Sequence, residues 1–383
     1  MGNEIAYFDN AATTFPKPEE VYSFMDTFYR RCGVNVGRGQ HKLASEASAL
    51  MEETRELLLN LFHCQNKKVI FTSTATEAIN IILQGIDISP KACVYISPFE
   101  HNAVTRTLHY LQKSKTFEVK QLDVDKDTLT YNLDNINAQF EMHKPYCVIV
   151  SHASNVCGTI APIKEIFTMA KKHNAITIAD MCQTAGLVDI DLSSDIFDYS
   201  VFEGHKTLYG PMGIGGFIAN ASINLPSLIY GGTGVESANQ DMPDEIPVKY
   251  EAGSHNILAI SGLNASLKWI SSIGIEAIRT KESKHRKRLL EILSNYDNIK
   301  VIVPNDGIGV ISCVFDGYSS DNIGQVLSDY NIATRTGLHC SPEAHKFLGT
   351  FPAGTVRFSV GYFNSDEDFD KLREALDYIE ENS

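Results

Sequence analysis

The sequence predicts a doubly wound, mostly parallel α/β sheet in a large domain, followed by a smaller α+β domain. Three observations carry this. Strand-like apolar runs alternate with helix-like ones through the first two-thirds of the 383 residues, the pattern of βαβ units. The polar residues with chemical potential in that stretch fall at the carboxyl ends of the apolar runs, where open α/β sheets bind ligands. In the last third the order changes to paired helices and then strands, which marks a second unit, and the length suits two domains.

The elements follow in order. The run 69–72 leads into a helical pattern over 75–83, 93–96 into 103–111, and 147–150, after a loop, into 163–172. Runs at 176–179 and 199–202 come next, then 213–219, whose glycines suit a strand lying close to other backbone. The Gly-rich, acidic segment 231–253 reads as an exposed loop. Helices are expected over 258–273, 282–293, 321–330 and 366–379, and strands over 301–303, 310–315 and 355–360. The expected division is a large domain over 16–262 and a small one from 1–15 and 263–383, the latter carrying a cysteine loop.

Lys and Arg number 33 against 47 Asp and Glu, a net charge of −14. That disfavours nucleic acid and anionic membrane as partners. No apolar stretch approaches the roughly 20 residues of a membrane helix. The start, Met1-Gly2-Asn3-Glu4-Ile5, lacks a basic and apolar signal pattern. Met1-Gly2 is a weak myristoylation cue, since position six is Ala6. Eight cysteines show no paired spacing, and Cys93, Cys147 and Cys313 lie in strand-like runs. With Cys32, Cys64, Cys157 and Cys182 also unpaired, the pattern fits free thiols in a reducing cytoplasm and no zinc site.

The chemistry starts at Lys206, in Gly204-His205-Lys206-Thr207, just beyond the run at 199–202. Asp180 closes the preceding run and Gln183 follows it. Alone, each is a surface lysine or a cap. Together, a lysine and a carboxylate at neighbouring strand ends suit pyridoxal phosphate (PLP): the amine forms the imine and the acid keeps a proton on the pyridine nitrogen. Ser73-Thr74-Ala75-Thr76 opens a helix and offers an anion site, or an ordinary N-cap. Gly213-x-Gly215-Gly216 leads into a strand and is rejected as a dinucleotide fingerprint. His101 could stack on a flat cofactor or be a structural histidine, and His205 could donate to a phosphate. Cys340 sits in a loop between Gly337 and Pro342, where Arg335 and His339 favour the thiolate, or where it is incidental. Arg357, inside an apolar strand, either grips a carboxylate or forms a structural salt bridge.

With these residues in view, the chain resembles the cysteine desulfurases, within the class V aminotransferase-like family of fold type I PLP enzymes. The likeness spans nearly the whole length. It rests on Tyr7-Phe8-Asp9-Asn10-Ala11-Ala12-Thr13-Thr14, on Ser154-Asn155-Val156-Cys157-Gly158-Thr159, on Gly204-His205-Lys206 and on Arg335-Thr336-Gly337-x-His339-Cys340. The resemblance implies that Lys206 links to PLP and shuttles the Cα proton, that Asp180 pairs with the ring nitrogen and Gln183 with the phenolic oxygen, and that His101 stacks on the ring and helps to move protons as a third catalytic residue. It implies a phosphate site from Ala75, Thr76 and His205, with Ser254 supplied by a partner subunit and hence a homodimer. Asn10, Asn155, Arg335 and Arg357 would serve the substrate side. Cys340 would take the sulfur of L-cysteine as a persulfide, leaving L-alanine, and a separate acceptor protein, as in iron–sulfur cluster assembly, would receive it.

The 21 residues at 336–356 between Arg335 and Arg357 make a short cysteine loop, as in the SufS-like branch. Three departures from the family pattern stand out, the second a pair of residues. Glu203 replaces a Ser or Thr that contacts the phosphate, and a carboxylate there is repulsive unless turned away or protonated. Met181-Cys182 is bulkier than the usual pair, and His255 replaces a proline. The alternatives are a selenocysteine lyase or cysteine sulfinate enzyme, an ordinary aminotransferase, and a non-catalytic sulfur-handling partner.

Overall fold

The computed structural model describes residues 5–36 and 39–382. The N-terminal reading made on residues 1–4 lies outside them. A short strand, β1 (Ala6–Tyr7), precedes helices α1 (Glu19–Cys32) and α2 (Lys42–Leu61). The large sheet then forms from β2 (Lys67–Thr72), α3 (Ala75–Gly85), β3 (Cys93–Ile96), α4 (Asn102–Gln112), β4 (Glu118–Gln121), α5 (Leu133–Met142), β5 (Pro145–Ser151), α6 (Ile163–Lys171), β6 (Ile176–Asp180), β7 (Tyr199–Glu203) and β8 (Gly215–Asn220). Helices α7 (Ile257–Ile273) and α8 (Ile275–Leu293) lead to the second unit. That unit holds β9 (Ile299–Ile302), β10 (Val310–Phe315), α9 (Ser320–Asp329), β11 (Ile332–Ala333), β12 (Arg335–Gly337), α10 (Pro342–Leu348), β13 (Thr355–Ser359) and α11 (Asp366–Glu381).

The seven strands of the large sheet lie in the order β2-β8-β7-β6-β5-β3-β4. Only β8 runs against the rest, pairing antiparallel with both neighbours. The sheet is therefore mostly parallel, as expected. Alternate residues of each strand feed two separate cores. Tyr95, Val148, Val150, Ala179 and Phe202 face one layer, with α5, α6 and α7. Val94, Ile149, Ile178, Val201 and Phe217 face the other, with α3 and α4. Burial on both faces explains why these strands read as continuous apolar runs. The chain steps from β3 out to β4 and then crosses back to β5, so the order reverses beside β3. The loops after β3, β5, β6 and β7 open at that reversal, the place where doubly wound sheets bind ligands.

The second unit is a four-stranded antiparallel sheet, β12-β13-β10-β9. Its apolar core includes Ala6, Phe8, Leu289, Ile311, Leu327, Phe358 and Phe369. The chain's opening joins it: β1 pairs parallel with β11, and Asp9 bridges Ser359. The boundary expected at 262/263 falls inside α7, whose residues pack into the core shared with α1 and α2; we propose the division after Ile273. Helices α1, α2, α5 and α10 and strands β4, β11 and β12 were not anticipated, and α8 begins before residue 282. Segment 231–247 is irregular and mostly exposed. Among the described residues no helix is long and apolar enough to cross a membrane.

Candidate active site

A cleft opens at the strand carboxyl ends, lined by Ala75, Thr76, Ile79, His101, Ala103, Ser151, Ala153, Asn155, Asp180, Cys182, Gln183, Glu203 and Lys206. Seven residues singled out from sequence therefore meet: Ala75, Thr76, His101, Asn155, Asp180, Gln183 and Lys206. Asp180 ends β6 and Glu203 ends β7, and the two strands are parallel neighbours in register at Asp180 and Val201. Lys206 thus lies on the turn beside Asp180 because two adjacent strands stop there. The Cys182 N–H donates to Asp180 Oδ1 at 2.9 Å, which fixes the carboxylate at the cleft wall.

His101 is the N-cap of α4. Its Nδ1 accepts from the Ala103 N–H at 3.0 Å, so the ring proton sits on Nε2. Burial, and then the nearby Lys206 charge, pull its pKa down to about 4, so the imidazole is neutral. Below it, Glu100 is fully buried and accepts from Ser97 Oγ, the Ser151 N–H and Ser151 Oγ. Burial pushes its carboxyl up to about 7. Sequence reading missed Glu100; its only signal was a carboxylate directly before His101.

The motif Asp9 to Thr14 holds the Lys206 turn. The His205 carbonyl accepts from Thr13 Oγ1 at 2.9 Å and from Lys17 Nζ at 2.6 Å, and the Lys206 carbonyl accepts from Thr14 Oγ1 at 3.0 Å. Gln183 Nε2 donates to the Ala11 carbonyl at 2.9 Å. Asn10 is spent within this motif: its Nδ2 donates to the Tyr7 and Ser359 carbonyls, and it lines a small neighbouring cavity.

At the other edge lies the cysteine loop. His339 and Cys340 both have left-handed backbone, φ +48° and +59°, a conformation that non-glycine residues keep only where surroundings enforce it. The enforcing bonds are short. Asn155 Nδ2 donates to the His339 carbonyl at 2.7 Å, Ser341 Oγ donates to Asn155 Oδ1 at 2.8 Å, and the Asn102 N–H donates to the Cys340 carbonyl at 2.7 Å. Beside the loop, Gly354 has φ +75°, and a Cβ there would lie 2.3 Å from Gly337 backbone, so only glycine fits. Arg335 Nη2 donates to Cys340 Sγ at 3.3 Å. His339 does not share in this: burial, and then Arg357, hold it neutral, with Nε2 on Thr355 Oγ1 at 2.9 Å. The positive partner of the thiol is Arg335 alone of the two expected.

Arg357 is 1 % exposed, and its two Nη groups are engaged, Nη1 on the Asn155 carbonyl at 3.0 Å and Nη2 on Asp9 at 2.7 Å. This is the salt-bridge arrangement, and Asp9 was the partner that sequence reading did not name. Ser254 is exposed and lines a different surface cleft with Ser73, Glu77 and His255. The segment carrying it is anchored by Glu251, which accepts from both Nη groups of buried Arg55 at 2.9 and 2.7 Å.

The remaining wall is the start of α3. Thr74 caps it by accepting from the Glu77 N–H at 3.2 Å, as the N-cap reading expected. The Ala75 N–H points the other way, to Glu203 Oε2 at 2.8 Å. Burial raises the Glu203 carboxyl to about 6, and its Oε1 has no hydrogen-bond partner. His205 is half-buried outside the cleft lining, with Nε2 3.8 Å from Glu203 Oε1. Burial, then Lys206, brings its pKa to about 4.

The family description Aminotransferase class-V matches residues 6–372. The chain belongs to that family. It is 32% identical to a probable cysteine desulfurase of Pyrococcus abyssi, over 99% of this chain and 95% of that protein. It is 29% identical to one of Halalkalibacterium halodurans, over 99% of this chain and 94% of that one. Among solved structures, the apo cysteine desulfurase of Thermococcus onnurineus superposes with TM-score 0.92 at 27% identity, over 100% of this chain and 96% of that one. A cysteine desulfurase of Escherichia coli gives TM-score 0.85 at 25% identity, over 98% and 94%.

Proposed function

We propose that this chain is a PLP-dependent cysteine desulfurase that converts L-cysteine to L-alanine and takes the sulfur onto Cys340. The observation that carries the reading is Asn155: it lines the cleft of Lys206 and Asp180 and also bonds both residues flanking Cys340. One side chain thus joins the lysine site to the thiol.

The ring end of the cleft fits the cofactor. Lys206 supplies the amine, and Asp180 supplies the fixed carboxylate for a ring nitrogen. Neutral His101 offers a flat face, and Gln183 a polar edge. Bound there, PLP supplies an aldehyde for an imine and a ring that accepts electrons. Lys206 Nζ would hold the cofactor and move the substrate Cα proton. Arg335 Nη2 would hold Cys340 Sγ through its hydrogen bond, and that sulfur would accept the substrate's sulfur. Arg335 also serves a substrate carboxylate better than Arg357, whose Nη groups are already engaged by Asp9 and Asn155.

Exposed Ser254, away from this chain's own cleft, supports its use by a second copy in a homodimer. The short, tied cysteine loop supports the SufS-like arrangement, in which an acceptor protein comes to the cleft, as in iron–sulfur cluster assembly in the cytoplasm. The test is the visible spectrum of the purified protein with PLP, followed through addition of L-cysteine, with alanine and sulfide assayed together. A cofactor band with equal alanine and sulfur yield is expected. Alanine made as fast by Cys340→Ser, or faster turnover of selenocysteine independent of Cys340, would replace this reading with a lyase. No band at all would leave the non-catalytic reading.

A further inference from the structure

The cleft holds one polar group that none of these roles uses. Glu203 is 6 % exposed, yet Oε1 has no partner, while Oε2 occupies the first N–H of α3. Helix N-termini bind anions through such N–H groups, so a carboxylate stands in the seat where a phosphate would go. Glu203 ends β7, its backbone paired with Gly215 on β8. A Cβ on Gly215 would lie 2.8 Å from Ala75 N, so β8 and the α3 start are already in backbone contact.

The titratable groups facing Glu203 are Lys206 and His205 on its own turn, and Asp180 and Cys182 beyond β6. Burial holds His205 neutral, and Lys206 is the one basic amine among them. Two anions in such a site share a proton rather than both ionise.

We infer that Glu203 carries a proton whenever the phosphate end of the cofactor is seated, and that its carboxylic O–H donates to a phosphate oxygen. The inference rests on the proposed cofactor. The proton comes from solvent, and no covalent bond changes. Burial already holds the Glu203 carboxyl near pH 6, and a phosphate monoester loses its second proton at about pH 6. Above that pH both free partners have lost a proton that the complex retains. Binding therefore takes up about one proton, and affinity falls by about tenfold per pH unit until the shared site titrates.

The test uses the full chain freed of cofactor and titrated by calorimetry with pyridoxine 5′-phosphate, which cannot form an imine, in buffers of different ionisation heat. At pH 7.5 the native protein should take up about one proton per ligand, and its Kd should weaken by about tenfold or more between pH 6.5 and 8.5. Glu203→Gln and Glu203→Ser should each take up much less and bind at least about tenfold tighter than the native chain at pH 8.5. Pyridoxine without the phosphate should show no such difference. A native proton count near zero, with pH profiles parallel in all three proteins, overturns the inference. A parallel titration with PLP, trapped by borohydride at Lys206, separates the two readings. An adduct with a flat proton count sinks the role of Glu203 alone; no adduct in any protein at any pH sinks the cofactor and this inference together.

Discussion

The two ends of the cleft differ in the group at their centre: a thiol held by an arginine at one, a buried carboxylate with an open oxygen at the other. Around Cys340 the three bonds from Asn155, Ser341 and Asn102 are between 2.7 and 2.8 Å, and the thiol itself has Arg335 at 3.3 Å. At the anion end a buried carboxylate oxygen faces the cleft with no partner. Buried polar groups are almost always paired, so each exception asks for an explanation, and His339 Nδ1 and Arg357 Nε beside the cysteine loop are exceptions as well. The contrast teaches that the two ends do different work. The thiol is positioned in advance, which lowers the barrier to a reaction by fixing geometry. The Glu203 end leaves one carboxylate oxygen open, which in the proposed reading a ligand would meet.

The comparison can be broken at either end. Lys206→Ala should remove the cofactor band and reduce alanine formation by more than about 10³-fold. Cys340→Ala should keep the band and lose sulfur transfer by about 10²-fold or more, read as protein-bound sulfur after a single turnover. Arg335→Leu should slow sulfur transfer to Cys340 by about tenfold, since it removes the hydrogen bond that holds Sγ and a hydrogen bond to a charged group is worth about 1.5 kcal/mol; a band equal to that of the native protein shows the ring end intact. Asn155→Ala strips two bonds from the loop and should cost about 1–3 kcal/mol in urea unfolding, with turnover lowered more than cofactor uptake. A stability effect of similar size lies between the ends, at Glu100. Its carboxyl is raised to about 7 in the folded chain, so its stabilising contribution is full below the unfolded value near 4.5 and is lost as pH rises through about 7. The stability of the native chain relative to Glu100→Gln should therefore drop by about 1–3 kcal/mol from pH 4.5 to 8.

The large sheet was legible because both of its faces are covered, which writes each strand as an unbroken apolar run. The site at its carboxyl edge was legible for the same reason: Asp180, His101 and Lys206 each stand just past such a run. Helices α1 and α2 were not, although α2 is 20 residues long; no strand run precedes them to frame the pattern. The partner of Arg357 was hidden by distance in sequence, since Asp9 lies 348 residues away and meets it only when β1 joins the second unit. Glu203 was noticed from sequence as a departure; what sequence did not contain was that its carboxylate takes the Ala75 N–H. Side chains pinned by local caps and strand ends could be read ahead, and those pinned by long-range ion pairs could not.

Seven of the eight cysteines, all eight being described, are buried; Cys340 is the exception. Packing rather than charge protects the seven, because burial in apolar surroundings keeps a thiol in its unreactive form. The chain therefore offers electrophiles and oxidants a single target. One equivalent of an alkylating reagent should titrate the native protein, and mild peroxide stress should register first as a lesion at that one sulfur, leaving the scaffold around it chemically untouched.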